Sequence, residues 1–248
     1  MRIISLSPSL TEIVISLKAA DQLVGVSNVC EVGEANLQRV GSCKALEFSK
    51  IDSLSPECVL ADSQDNRPEE IQRLQKKWNT KVFDVKSLDQ VCDTVMELGR
   101  LVQKRPEAEL LVKGIRGEAS GNEEIFLGQA KKRTLILIWD TPYLTLNYDS
   151  YPSHLVEASG GVNVFHEEPV REFPVEMEDM IEKNPEVLLL PTDPAPFKSK
   201  HVSNFRRYRI FSKIPIHLIE GKLFSRYGVQ TVEALKRLRE IYKEMVQA

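Results

Sequence analysis

Ile51-Asp-Ser-Leu-Ser-Pro56-Glu57-Cys-Val-Leu-Ala-Asp62 and Met180-Ile-Glu-Lys-Asn-Pro185-Glu186-Val-Leu-Leu-Leu-Pro-Thr-Asp193 are two copies of one pattern, set about 130 positions apart. Each reads as the end of a helix, a Pro-Glu turn, an apolar strand and an aspartate. Proline stops the helix because it lacks an N–H and restricts the residue before it. The apolar run that follows suits a strand covered on both faces. Working outward, Arg2-Ile-Ile-Ser-Leu6 and Thr134-Leu-Ile-Leu-Ile-Trp139 read as short buried strands that open each copy. Ser9-Leu-Thr-Glu12 has capping-box spacing and starts a helix that reaches Lys18, after which Leu23-Val-Gly-Val26 resumes as strand. In the second copy Ser153 starts a short helix that stops at Gly160-Gly161, before Val162-Asn-Val-Phe165. A strand over Lys81–Val85 corresponds to one over Ile214–Ile219. Repetition in the same order along the chain indicates an internal duplication.

Strands that alternate with helices form parallel sheets with right-handed crossovers. The expected fold class is α/β, with two Rossmann-like three-layer lobes of parallel sheet joined by a long rigid backbone helix and a ligand cleft between the lobes. The expected division is an N-terminal α/β lobe over 1–87, a helical connector over 88–131 and a C-terminal α/β lobe over 132–248. In the connector Val91, Val95, Leu98 and Val102 form one apolar stripe, and Pro106 starts a second helix carrying Leu110, Leu111, Val112 and Ile115. The last helix spans about Val229 to Val246.

Composition removes several function classes. The chain of 248 residues carries 33 Lys and Arg against 36 Asp and Glu, a net charge of −3, so a nucleic-acid partner is not expected. Its apolar runs are too short to cross a bilayer, which needs about 20 residues as helix. Met1 and Arg2 run straight into Ile3-Ile4-Ser5-Leu6 with no signal-like apolar region, so as written the chain is expected in the cytoplasm. It would be periplasmic or otherwise extracytoplasmic if Met1 were added to a mature chain. Cys30, Cys43, Cys58 and Cys92 form no Cys-x-x-Cys pair and read as packing residues. His154, His166, His201 and His217 show no close ligand spacing, and neither a phosphate-binding glycine loop nor a Gly-x-Ser-x-Gly elbow occurs. No metal site, no catalytic residue and no catalytic cofactor are expected.

In open parallel sheets ligands bind beyond the carboxyl ends of the strands. The first copy places small polar loops there, Ser7-Pro8-Ser9, Ser27–Cys30 and Asp62-Ser63-Gln64-Asp65-Asn66. The second places Trp139, Tyr143, Tyr148, Tyr151, Phe173, Phe224 and Tyr227 on its loops, seven aromatic residues where the whole chain has nine Phe, six Tyr and two Trp. A polar wall facing an aromatic one suits a flat or bulky ligand better than a bare ion. Glu69-Glu70 after Pro68 either offset a helix dipole or form an exposed patch for arginines on a partner.

Arg2–Glu12, Leu23–Ser27, Val40–Ser42, Ser55–Leu60 and His154–Phe165 together resemble, in order and over nearly the whole chain, the helical-backbone (class III) substrate-binding proteins of cobalamin and iron-siderophore ABC importers. The match is closest to the cobalamin-binding branch. The resemblance implies a monomeric, non-enzymatic receptor that binds a corrinoid (cobalamin or cobinamide) or an iron chelate in the cleft and closes little. It implies ligand contacts at Pro8, Asp62, Ser63, Gln64, Asn66, Trp139, Tyr143, Phe173, Lys222, Phe224, Arg226 and Tyr227, and docking on an ABC permease through Glu69 or Glu70. One departure stands out: the second-lobe stretch Phe197-Lys-Ser-Lys-His-Val-Ser-Asn204, where the family carries its other docking acid, is basic.

Two alternatives remain open from the residues. One is a chelatase-like enzyme acting on a tetrapyrrole, using His154 with Glu157 or His166 with Glu167. The other is a receptor for a bare metal ion.

Overall fold

A computed structural model of the chain describes residues 1–33, 36–43, 45–193 and 197–247. Its first strand, β1 (Ile3–Ser5), is buried along its whole length, and so is the apolar run after the first Pro-Glu turn, β6 (Cys58–Asp62). The two pair in parallel, Ile3 with Cys58 and Ser5 with Leu60. Strand burial on both faces is what the unbroken runs of Ile, Val and Leu dictate.

The chain divides into two compact units, residues 1–85 with 89–113 and residues 86–88 with 114–248. In the first, β1 leads into α1 (Pro8–Ser16), then β2 (Leu23–Val26), the short strands β3 (Gln38–Arg39), β4 (Gly41–Ser42) and β5 (Ala45–Leu46), and α2 (Phe48–Leu54). After β6 come α3 (Pro68–Gln75), β7 (Thr80–Phe83), α4 (Leu88–Leu101) and α5 (Arg105–Phe126). The sheet has the order β3-β2-β1-β6-β7 and every pairing is parallel.

The second unit runs β8 (Lys132–Ile136), β9 (Trp139–Asp140), β10 (Tyr143–Leu146), α6 (Tyr151–Glu157), β11 (Gly161–Asn163), β12 (Glu172–Pro174), α7 (Met177–Glu182), β13 (Val187–Pro191), α8 (Ser199–Phe205), β14 (Ile216–Ile219), α9 (Gly221–Ser225) and α10 (Val229–Gln247). Its parallel sheet has the order β11-β8-β13-β14. Strand for strand this repeats β2-β1-β6-β7, so the duplication read from the two Pro-Glu stretches reproduces the topology of both sheets.

The repeated turn carries a repeated hydrogen-bonded clamp. Ser55 and Asn184 both end their helices in the left-handed region at φ 44°. The following Glu57 accepts the backbone N–H of Arg2 at 2.6 Å, and the Arg2 guanidinium donates to the Leu54 and Ser55 carbonyls at the helix end. Glu186 accepts the N–H of Arg133 at 2.9 Å, and the Arg133 guanidinium donates to the carbonyls of Lys183 and Asn184. Both arginines thus occupy orphan carbonyls at a helix C-terminus, where a cation also suits the dipole.

Two helices start earlier than capping patterns suggest. The expected start at Ser9 is corrected to Pro8, with Ser7 as N-cap, and the expected start at Ser153 to Tyr151, with Ser150 as N-cap. In each case a proline in the first turn, Pro8 or Pro152, presets φ for the helix and overrides the serine signal downstream. The residues from Trp139 to Phe173, expected as loops, contain a three-stranded antiparallel sheet of order β12-β10-β9. The expected Lys222–Tyr227 loop contains α9.

Gly160 and Gly161 end α6 for steric reasons: Gly160 has φ 102°, and a Cβ on Gly161 would stand 2.4 Å from the Tyr242 hydroxyl. Tyr242 is fully buried, and its hydroxyl is matched by Thr134 at 2.9 Å. Asn122 of α5 donates to the Leu235 carbonyl at 3.2 Å and accepts from Arg239 at 3.1 Å, which binds α10 to α5.

Replacing Glu57 or Glu186 by Ala removes the acceptor for an N–H at a strand start, and each is expected to lower unfolding free energy in urea by about 1 kcal/mol, since both clamps are solvent-accessible. Gln at either position restores most of it, and a variant that loses nothing would show that its clamp carries no stability. His217, on β14, has its pKa lowered by burial and then by Arg237 and Arg206, against Glu244. The unfolded chain therefore takes up the proton first, and stability falls as pH drops from above 6.5. In thermal melts His217→Gln is expected to show a smaller fall in Tm between about pH 7 and about pH 5 than the parent.

Candidate functional site

The carboxyl ends of β1, β2 and β6 present the polar loops of the first unit, and most of their polar atoms are occupied within the unit. The Thr11 hydroxyl lies 2.8 Å from both Ser5 Oγ and the Ser7 carbonyl. Ser27 Oγ lies between the thiols of Cys30 at 3.1 Å and Cys43 at 3.4 Å. Burial pushes both thiols up, Cys43 to about 11, so they stay protonated and weakly nucleophilic.

The loop after β6 is self-stapled. Asp62 Oδ1 accepts the Gln64 N–H at 2.8 Å, while the Asp62 N–H donates to Asn66 Oδ1 at 3.0 Å. Asn66 also donates to the Cys43 carbonyl at 3.1 Å. Asp62 and Asn66 are buried. Ser63 and Gln64 are exposed, each with one bond to the chain after β7: Ser63 Oγ to Asp84 at 2.8 Å and Gln64 Nε2 to the Val85 carbonyl at 2.7 Å. Pro8 is half-buried at the start of α1. The structure thus brings Asp62, Ser63, Gln64 and Asn66 together in one rigid turn.

The acidic pair separates in role. Glu70 is buried, accepts the Leu46 N–H at 2.9 Å and leaves its other oxygen without a hydrogen-bond partner. Glu69 is exposed.

In the second unit the antiparallel sheet gathers three of the aromatic candidates. Trp139 lies across from Leu144 on β9, Tyr143 starts β10, and Phe173 on β12 lies across from Thr145. Trp139 is 38% exposed, whereas Tyr143 and Phe173 are half-buried against the core. Tyr143 packs on Phe205 with ring centroids 5.3 Å apart, and Phe173 packs edge-on against Phe165 at 5.5 Å. Burial, then Tyr208 and Asp140, push the Tyr143 pKa up, so its hydroxyl remains a neutral donor.

The other aromatic candidates lie elsewhere. Phe224 and Tyr227 are buried, and Tyr227 meets Tyr151 edge-on at 6.2 Å. Lys222 and Arg226 are half-buried, and Lys222 pairs with Glu220 at 2.9 Å. Tyr148 is exposed and packs on His166 at 5.4 Å.

Sequence reading did not single out two neighbours of this aromatic group. Tyr208 is exposed and acts electrostatically on Tyr143. His201 receives the Lys198 N–H on Nδ1 at 2.8 Å, and its Nε2 lies 3.3 Å from Asp140. That contact ties α8 to β9. A lone histidine and a tyrosine inside a basic run carry no spacing signal that would have exposed either contact.

Chemically, the first unit offers amide and hydroxyl groups on a stiff turn, and the second offers ring faces and one neutral phenol. Among the described residues no group of three His, Cys, Asp or Glu side chains is placed to hold a metal ion. Asn66→Ala would strand the Asp62 N–H and the Cys43 carbonyl in a buried place. It is expected to cost about 2 kcal/mol in urea unfolding, and a loss under about 0.5 kcal/mol would show that the turn is held by other contacts.

A family model described as periplasmic binding protein matches residues 3–216. The vitamin B12-binding protein of Vibrio cholerae is 27% identical over 191 residues, covering 75% of this chain and 69% of that protein. The vitamin B12-binding protein of Salmonella choleraesuis is 24% identical over 242 residues, covering 96% and 88%. Among solved structures, the periplasmic vitamin B12 binding protein BtuF of Vibrio cholerae has a TM-score of 0.84 at 22% identity over 100% of this chain and 98% of that one. The periplasmic heme-binding protein RhuT from Roseiflexus sp. RS-1 has a TM-score of 0.81 at 18% identity, covering 98% of both chains. At such identities the structural likeness establishes the α/β fold with its paired parallel sheets.

Proposed function

The chain belongs to the periplasmic binding protein family, and from that premise we propose that it is a non-enzymatic binding protein for a corrinoid or a similar large ring chelate. The observation that carries the reading is the sheet of Trp139, Tyr143 and Phe173, which holds three ring side chains on one rigid element while Trp139 stays accessible. Relatives named for vitamin B12 and for heme share one ligand chemistry, a broad ring around a metal with polar groups at its rim. Ring faces take up the apolar surface of such a ligand, and few polar groups are needed to orient it.

In this reading Trp139, Tyr143 and Phe173 contact the macrocycle, and Pro8, Ser63 and Gln64 meet its rim. Asp62, Asn66, Phe224 and Tyr227, whose side chains are buried, hold the segments that carry their neighbours in place. Lys222 and Arg226 serve charged substituents of the ligand. Docking on an ABC permease falls to Glu69, since Glu70 is occupied by Leu46. No helix among the described residues is long and apolar enough to cross a membrane. The proposed location is the extracytoplasmic side, as for the relatives, with the protein acting as a monomer.

The test is a titration with cobalamin, cobinamide, heme and a ferric siderophore, followed by ligand absorbance and tryptophan fluorescence. Trp78, the other tryptophan, stacks on Phe48 in the first unit and serves as an internal reference. Saturable binding of one class is expected, with quenching that disappears in Trp139→Phe. Tyr143→Ala and Phe173→Ala each remove an aromatic contact and are expected to raise Kd about tenfold. If all four compounds leave both spectra unchanged, the proposal fails.

A further inference from the structure

Between Asp193 and Glu220 the sequence holds no acidic residue, yet it carries six cations, Lys198, Lys200, Arg206, Arg207, Arg209 and Lys213, in a chain whose net charge is −3. The structure assigns these cations different roles. Arg206 is structural: its guanidinium donates to the Phe211 carbonyl at 2.7 Å and the Ile214 carbonyl at 2.6 Å, which stiffens the turns that follow α8. Lys200, Arg207, Arg209 and Lys213 are exposed, and among the described residues none has a carboxylate within ion-pair distance. Cations on α10 behave differently, since Arg237 pairs with Glu240 and Arg239 with Glu118.

A concave feature continues the same segment. A groove of about 630 Å³ is lined by Ile210, Lys213 and Ile214 from the segment and by Ile241 and Met245 from α10. Of its carboxylates, Glu186 is already paired with Lys132 at 3.6 Å, and Glu244 lines the groove beside Met245. Tyr208, 42% exposed, stands between the two unpaired arginines. Arginine and tyrosine beside an apolar recess are the residue types that anchor protein interfaces.

We propose that Lys200, Arg207, Tyr208, Arg209 and Lys213, with the adjoining groove, form a docking surface for an acidic segment of a partner protein. Its carboxylates pair with the guanidiniums in forked geometry, and an apolar side chain enters the groove. Charge complementarity selects the partner's sign and the recess selects a protein over a lipid surface, which offers no projecting anchor. The negative net charge of the chain disfavours nucleic acid. This inference does not depend on the ligand reading.

The probe is a short labelled peptide alternating glutamate with leucine and phenylalanine, followed by fluorescence anisotropy against the full chain. Saturable binding that weakens with salt is expected. The double variant Arg207→Glu, Arg209→Glu is expected to raise the peptide Kd at least about tenfold, and Met245→Asp, which leaves the arginines intact, also weakens binding. The control Lys76→Glu, Lys113→Glu changes charge equally on the first unit and is expected to leave binding unaltered. Circular dichroism checks that each variant is folded. Equal weakening by the control would reduce the effect to net charge and overturn the proposal. It is also overturned if the chain binds phosphatidylserine vesicles but not the peptide, or if the arginine variant keeps the peptide and loses the chelate ligand.

Discussion

The structure depends on one interaction made twice: a carboxylate just after a proline turn that accepts the N–H opening the neighbouring strand, while the arginine at that strand start covers the end of the incoming helix. Glu57 with Arg2 and Glu186 with Arg133 are the two instances. Each joins a helix end, a turn and two strands at the amino edge of a sheet. Once β1 lies parallel to β6 and β8 parallel to β13, crossovers place the remaining strands, and the loops leaving the opposite edge become the functional surface.

One scaffold therefore carries two surfaces of different chemistry. In the first unit the loops are short, polar and hydrogen-bonded to themselves, so they present a fixed pattern of donors and acceptors. In the second an inserted antiparallel sheet lifts ring side chains out of the core, and the contact between His201 and Asp140 braces it against α8. Rigidity on both surfaces limits the entropy lost when a stiff ligand binds. It also fits a receptor better than an enzyme, because the thiols are held protonated and the buried carboxylates Asp62 and Glu70 both accept backbone N–H groups.

Much of this fold was legible in the sequence because the Pro-Glu stretches combine two strong local rules, a helix stop and a fully buried strand. Those rules located β6 and β13, and their recurrence implied the common sheet order. Helix starts were less legible, since Pro8 and Pro152 outweighed the serines that follow them. Strands β9, β10 and β12 escaped because they run for only two to four residues, too short for a period to register. Arg2 and Arg133 act through long-range bonds that no local pattern encodes. The same limit applies to Glu70: its spacing matched that of its exposed neighbour Glu69, and only the tertiary contact with Leu46 separates them.

Native mass spectrometry of the chain, incubated in turn with cobalamin, cobinamide, heme and a ferric siderophore, tests the central claim most directly. The account requires one intact ligand held per chain, released at unchanged mass, for at least one of these chelates. A chain that stays bare with all four, or a ligand released with its metal exchanged, would contradict it.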